Sequence, residues 1–376
     1  MEAGSVTRYA ATVLALSLAT LGLSPDANAQ DVGESSFDRV WGRATLYENK
    51  DAGILQKFVL SGRLQADFAL FEANRGDFDD IQWRRFRFGG KLFLSKDVVA
   101  HAEVDIDLNE WGSNDSYEGL TDAYIGWYPG ERFSIKVGKQ SAGFTLDGAT
   151  SSTKLLTMER SVVADNIWFS TEYFTGATGF GKSRGWNYKL GAFSASGDKE
   201  FGKFDSGWFA LASLGRDVSD NVNLRLDYVY NDPDYAGNVG TANLQNVLSF
   251  VSHIGKGKAG IRTDLSFAKG IATQSDLLGL QLMPFWSFDD TWQVVFRYAM
   301  VHSTDGAGAK LGRYPRKVSS GKYEDVHDFF LGLNCFLYGH KLKWQSGLEY
   351  DYGKDEAGTG ADYKGWGLST GLRVSW

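Results

Sequence analysis

The chain has 376 residues, a net charge of −7, 43% hydrophobic residues and 14% aromatic ones. The negative balance excludes a general attraction to nucleic acid. After the N-terminus no run of about 18 apolar residues offers a transmembrane helix, and a single cysteine, Cys335, excludes an intrachain disulfide.

At the start, Arg8 gives a weakly positive segment, Tyr9 to Leu23 is a short apolar run, and Ala27-Asn28-Ala29 fits small-residue cleavage before Gln30. This pattern predicts a secretory signal peptide over residues 1–29, and hence an exported protein. Residues 30–53 are mixed and polar, with a short strand expected at Ala44–Glu48, and read as a lead segment on the periplasmic side. Residues 54–376 read as one further domain without a linker.

From about residue 54 one unit returns: an alternating strand, a tight turn, another strand, a longer loop. Phe58, Leu60, Gly62, Leu64, Ala66, Phe68 and Leu70 share one face, and Ser61, Arg63, Gln65 and Asp67 the other. A period of two means a strand between two different surroundings. Around 81–95, Phe86 and Phe88 oppose Arg85 and Arg87. Next, Ala100, Ala102, Val104, Ile106 and Leu108 oppose His101, Glu103, Asp105 and Asp107. Residues 118–128 and 132–140 continue the alternation around Pro129-Gly130. Later strands are expected near 173–182, 185–196, 206–216, 221–231, 244–255, 259–270, 275–287, 290–303, 325–338, 341–352 and 363–376.

This makes about 16 strands, with short connections (near 96, 130, 183, 218, 256, 288 and 339) alternating with longer ones (near 77, 114, 155, 201, 237, 272, 313 and 357). Sorting loops by length in this way is the habit of outer-membrane barrels, whose short turns face the periplasm. The fold class expected is all-β: a transmembrane antiparallel β-barrel, too wide for side chains to fill. The low count of 5 prolines suits its ladders. The connection from Ser141 to about Ser170 is too long and too apolar (Leu155, Leu156, Met158, Val162, Val163) for a loop in water. It is expected to fold into the lumen, carrying Lys154, Glu159 and Arg160; an extracellular lid or a subunit contact is the alternative. The loop at 304–324 reads as a solvated surface loop.

The closing strand, Lys364 to Trp376, sets Trp366, Leu368, Thr370, Leu372, Val374 and Trp376 against Gly367, Ser369, Gly371, Arg373 and Ser375. Aromatic rings at both ends of the apolar face suit the headgroup boundary, so Trp366 and Trp376 are the expected membrane anchors. This strand should pair with the one near residue 57 and leave no edge.

Several stretches resemble the phosphate-selective porin O and P family. These are Arg84-Arg85-Phe86-Arg87 with Gly90-Lys91-Leu92-Phe93; Leu120-Thr121-Asp122-Ala123-Tyr124; Val137-Gly138-Lys139-Gln140 through Thr157-Met158-Glu159-Arg160-Ser161; and Phe336-Leu337-Tyr338-Gly339-His340 with Gly347-Leu348-Glu349-Tyr350. Ala142-Gly143-Phe144 stands where the family usually has Pro-Phe-Gly. The resemblance implies a trimeric bacterial outer-membrane porin of 16 strands with a narrow basic eyelet, passing small anions such as phosphate.

Anion selection needs cations fixed on the inner wall, and arginine suits phosphate because its planar fork donates two parallel hydrogen bonds. Arg63, Arg85, Arg87 and Lys136 have lumenal parity; Lys139 begins the long loop, which carries Lys154 and Arg160. Arg84 has the opposite parity, which a bulge or snorkelling near a strand end would relieve. Asp122 is expected to accept from the arginines or from a protonated phosphate oxygen. The lumenal acids keep a general or cation-tolerant porin open as an alternative, and a plugged surface receptor is another. The five histidines lack ligand spacing, so no metal site, cofactor or enzymatic activity is expected.

Overall fold

The computed structural model describes residues 35–113, 115–305, 308–355 and 361–376; the expected signal peptide lies outside them. Two units are present, Met1–Arg43 and Ala44–Trp376. In the first, α1 (Ser36–Gly42) starts with a capping box. The Ser35 hydroxyl accepts from the Asp38 amide at 3.0 Å, while the Asp38 carboxylate accepts from the Ser35 amide at 3.2 Å.

The second unit is built from strands because its sequence alternates. In chain order these are β1 (Thr45–Glu48), β2 (Leu55–Ala73), β3 (Gly76–Leu94), β4 (Val98–Ile106), β5 (Tyr117–Gly130), β6 (Phe133–Ser141), β7 (Tyr173–Ser183), β8 (Trp186–Ser194), β9 (Gly207–Ser219), β10 (Val222–Pro233), β11 (Leu244–Lys256), β12 (Ala259–Gly270), β13 (Leu277–Ser287) and β14 (Trp292–Ser303). After two short strands, β15 (Ala309–Lys310) and β16 (Lys322–Tyr323), come β17 (Asp325–Tyr338), β18 (Leu342–Lys354) and β19 (Tyr363–Ser375). Setting aside β1, β15 and β16, sixteen strands pair antiparallel with their sequence neighbours. β19 pairs with β2 from Gly365↔Ala73 to Ser375↔Arg63, which closes the ring and abolishes its edges. Below that seam β1 takes over the free side of β2 (Thr45↔Val59, Glu48↔Lys57), so part of the expected lead segment joins the sheet. No helix among the described residues is long and apolar enough to cross a membrane.

The faces sort as the period-two pattern requires. Ile125, Leu190, Phe250, Leu331, Leu348 and Trp366 stand exposed on the outside, while Asp67, Glu103, Asp264, Arg297, Lys343 and Arg373 are buried on the inside. An apolar outer face of this kind suits a lipid surrounding.

Two expectations about loops need correction. The connection near residue 77 is tight rather than long, because β2 and β3 stay paired up to Ala73↔Gly76. The segment at 304–324 is no solvated loop over its described part. Ala309, Leu311, Tyr314 and Tyr323 are buried, and α3 (Pro315–Val318) packs near β2 and β3. Its apolar residues cannot be left in water, and the barrel offers them cover.

The chain between β6 and β7 holds α2 (Val162–Ile167), capped by the Ser161 hydroxyl, and runs along inward-facing side chains of many strands. Leu146 N–H donates to Asp264 of β12 at 2.6 Å, and Ser161 donates to Gln281 of β13 at 2.6 Å. Arg297 of β14 donates to the Glu159 carbonyl (2.8 Å), Asn334 of β17 to the Leu156 carbonyl (2.9 Å), and Lys343 of β18 to the Leu155 carbonyl (2.5 Å). A segment that leaves β6 reaches these residues only through the interior of the ring. Val162, Val163, Ala164, Ile167 and Phe169 pack there with Val247, Leu277, Ala299 and Val301 in the largest apolar cluster.

Candidate functional site: an arginine-lined constriction

A cavity of about 460 Å³ is walled by β3 (Arg84, Arg85, Arg87), β4 (Asp105), the 142–172 loop (Glu159, Arg160, Asp165, Glu172) and the second loop (Arg313, Arg316, Lys317). Among its lining residues seven cations (Arg84, Arg85, Arg87, Arg160, Arg313, Arg316, Lys317) face six carboxylates (Asp105, Asp107, Glu118, Glu159, Asp165, Glu172).

Arg84 enters this cavity because of a register shift. Gln65 pairs with Arg85 and Ala66 with Trp83, so Arg84 is the extra residue of a bulge. Trp83 keeps the outer face, 44% exposed, and three arginines within four positions face inward together. Of the two devices the sequence left open, the bulge is the one used.

Glu159 lies at the centre. Arg84 Nη2 donates to its Oε2 at 2.9 Å and Arg84 Nε to its Oε1; Arg85 and Arg313 approach at 3.9 and 3.8 Å. Burial pushes the Glu159 carboxyl up, but Arg84 and Arg85 outweigh it and hold it well below the usual carboxylate range. Glu172 is shared by Arg160 (3.4 Å) and Arg87 (3.7 Å). Burial raises it too, and Arg160 and Arg87 win, bringing it to about 2. Asp165 goes the other way: burial outweighs Arg316, 2.7 Å away, and its carboxyl is raised. Arg87 also donates to Asp105 at 2.9 Å and to the Tyr173 hydroxyl at 2.5 Å. Arg160 donates to the Asp147 carbonyl at 3.0 Å, and its guanidinium carbon stands 4.6 Å from the Trp168 ring centre.

Of the residues singled out in the sequence, Arg84, Arg85, Arg87 and Arg160 thus meet at one cavity. Arg63 sits beside it, donating to Ser152 at 2.7 Å and paired with Glu103 at 3.4 Å. Lys136 lies 4.8 Å from the Tyr124 ring centre and makes no ion pair among the described residues; it lines a second cavity of about 780 Å³ together with Lys189. Asp122 of β5 lines none of these cavities. Lys139 is not free: its ammonium donates to the carbonyls of Asp198, Lys199 and Glu200 at 2.7–2.8 Å. Lys154 is exposed and lines neither cavity. Trp366 stands 63% exposed on the outer face, and Trp376 is half-buried beside Gly62.

The sequence reading missed Arg313, Arg316, Asp165 and Glu172. The signal available for the first two was the burial-prone Leu311 and Tyr314 inside an otherwise basic loop.

The profile of the phosphate-selective porin O and P family matches residues 58–249. No curated protein matches the sequence. Among solved structures, an anion-selective porin from Comamonas acidovorans is similar at 12% identity, covering 85% of this chain and 99% of that one, with a TM-score of 0.61. OmpF of Salmonella typhi, in complex with daunomycin, is similar at 12% identity over 88% and 100% of the two chains, TM-score 0.61. The trimer form of OmpT, an outer-membrane protein of Vibrio cholerae, is similar at 12% identity over 85% and 99%, TM-score 0.56. At such identities the likeness establishes the barrel fold alone. The family match, together with the closed sixteen-strand ring, makes this chain a member of the phosphate-selective porin O and P family, a bacterial outer-membrane porin for passive diffusion of small solutes.

Proposed function

We propose that this porin prefers anions and that the constriction at Arg84, Arg85, Arg87, Arg160 and Arg313 sets the preference, with phosphate as the leading solute. One observation carries the reading: these five guanidiniums share Glu159, Glu172 and Asp105, so donors exceed the carboxylate oxygens that meet them. An oxyanion entering the cavity completes the surplus bonds, and arginine's fork fits a phosphate edge. Lys136, with Arg63 and Lys91 nearby, continues the positive wall toward the tight-turn end. Asp122, Lys139 and Lys154 play supporting parts, Lys139 by tying down the 198–200 backbone. The matched anion-selective porin from Comamonas acidovorans accords with this reading.

A second reading also has an observation behind it. The seven-to-six charge balance around the cavity fits a weakly selective channel that tolerates cations. Reversal potentials of single channels in a salt gradient separate the two. Anion preference, block by phosphate, and loss of both in Arg85→Ala and Arg87→Ala are expected; a cation-favouring potential without phosphate block would overturn the proposal.

The remaining assignments belong to the same proposal. Residues 1–29 act as the signal peptide, 30–53 as the periplasmic lead and 54–376 as the porin domain. Trp366 and Trp376 sit at the lipid headgroups, where an aromatic ring is most at home. The protein assembles as a homotrimer, as the trimer form of the matched Vibrio cholerae OmpT supports. Chemical cross-linking followed by mass determination tests the assembly.

A further inference from the structure

On the inner face of β17 and β18, three carboxylates that do not line the arginine cavity converge. Asp328 and Asp351 are direct cross-strand partners, and Glu349 lies two residues along the same face of β18. They are 1%, 0% and 7% exposed. One oxygen from each lies within 4.8 Å of those of the other two. Like charges placed directly opposite destabilise a sheet, and burial removes the water that would screen them.

Donors do not resolve the conflict. Arg297 serves Asp328 Oδ2 at 2.7 Å, and its other terminal nitrogen is taken by the Glu159 carbonyl. Asp328 also accepts from the Val162 amide and Asp351 meets the carboxyl of Glu349, but no donor group among the described residues reaches either oxygen of Asp351. A second group points to the same place. The Tyr363 hydroxyl belongs to a fully buried side chain and also has no hydrogen-bond partner among the described residues. It lies where a side chain on Gly365 would begin, and Gly365 is the cross-strand partner of Asp351. From the lumen side the backbone of Gly312 closes over Glu349 and Asp351.

We propose that Asp328, Glu349 and Asp351 bind a divalent cation of the calcium class, with the Tyr363 oxygen adjoining. The donors are all hard oxygens, which select Ca²⁺ or Mg²⁺ over softer metals. Calcium bonds of about 2.3–2.6 Å put opposed ligands about 4.6–5.2 Å apart, and Mg²⁺, with bonds of about 2.0–2.1 Å, demands a tighter shell. All three donors lie within 4.8 Å of one another, so one ion can reach them together, and their burial suits Ca²⁺, because Mg²⁺ dehydrates reluctantly and keeps several waters. The absence of histidine spacing in the sequence says nothing against such a site, because no histidine takes part. The ion also supplies the counter-charge that Arg297, engaged with Asp328, leaves missing for Asp351.

Terbium luminescence tests this on the purified full-length protein in detergent, stripped with chelator and free of lipopolysaccharide. Excitation through the aromatic residues is expected to give saturable Tb³⁺ emission that Ca²⁺ displaces. Asp351→Asn and Glu349→Gln each weaken Tb³⁺ and Ca²⁺ binding on the order of tenfold or more, while Glu110→Gln, in an exposed loop, leaves it unchanged. Heat-modifiable migration on gels verifies that each variant is folded, and either of the two site variants suffices. If neither folds, the wild-type midpoint of thermal unfolding decides: it falls on chelation and is restored by Ca²⁺. No saturable emission from the wild type, equal binding by wild type and folded site variants, or a midpoint indifferent to chelation would overturn the proposal; the carboxylates would then hold shared protons instead.

Discussion

Arg84 holds Glu159 with two nitrogens of one guanidinium, Nη2 at 2.9 Å from Oε2 and Nε on Oε1. The arginine comes from a bulge in the wall, and the glutamate from the loop that crosses the lumen. The pair joins the two structures that define the constriction. Both side chains are largely buried, 12% and 9% exposed, so the bond is screened far less than a surface pair.

Glu159→Gln therefore strands more than one charge. Arg84, Arg85 and Arg313 all lose the same counter-ion. Breaking a buried pair from one side costs about 3–5 kcal/mol. Urea unfolding of the protein in lipid vesicles, followed by tryptophan fluorescence, is expected to show a loss of that order. A change under about 1 kcal/mol would mean that the pair behaves as a surface ion pair.

The Glu172 clasp sets a pH window. Its carboxyl ordinarily titrates near 4.5 and here lies at about 2. Since the folded value is depressed, its contribution to stability is complete above about 4.5 and is lost as pH falls toward about 2. Single-channel conductance should stay level from neutral pH down to about 5 and become unstable only below about 4.5. Loss of the conducting state already complete at pH 5 would refute the assignment.

Phe330 lies against Gly347, where an added Cβ would come within 2.1 Å of its ring, and it belongs to the apolar cluster that holds Leu146 and Met158 of the loop. Gly347→Ala pushes the ring off its seat and should cost about 1–3 kcal/mol as overpacking. The same unfolding assay measures it, and the open channel should become noisier as the loop loosens. Wild-type stability and noise would show that the ring has room to shift.

Tyr314 anchors the second loop by donating to Asp67 at 2.6 Å, while Arg373 holds the other oxygen of that carboxylate. Tyr314→Phe removes one bond and leaves the aspartate paired, so a loss of about 0.5–1.5 kcal/mol is expected. Because Arg313 and Arg316 travel with this loop, the variant should also weaken anion preference in reversal-potential measurements. Unchanged preference would place these arginines outside the solute path.

The strands were legible because a barrel wall between lipid and water forces each residue to one side. In β4 the contrast of Ala100, Ala102 and Val104 with His101, Glu103 and Asp105 leaves no other arrangement. The closing pair β19–β2 followed from the same demand, since an open edge in lipid strands its backbone groups. Arg84 could be read as inward only by allowing a bulge or snorkelling. Its parity was right for an unbroken strand, and the bulge that turns it inward exists only in the pairing of β3 with β2.

Local pattern therefore determined the ring, its faces and the presence of a long apolar loop inside an exported chain. Tertiary structure alone decided which charges meet. It brought Arg313 and Glu172 to Arg84 and Arg87, gave the Lys139 ammonium three backbone carbonyls, and set Asp328 opposite Asp351. The reason is physical: lumenal parity says only that a side chain faces water or loop, while the partner it finds depends on the register between strands and on loop closures spanning a hundred residues or more.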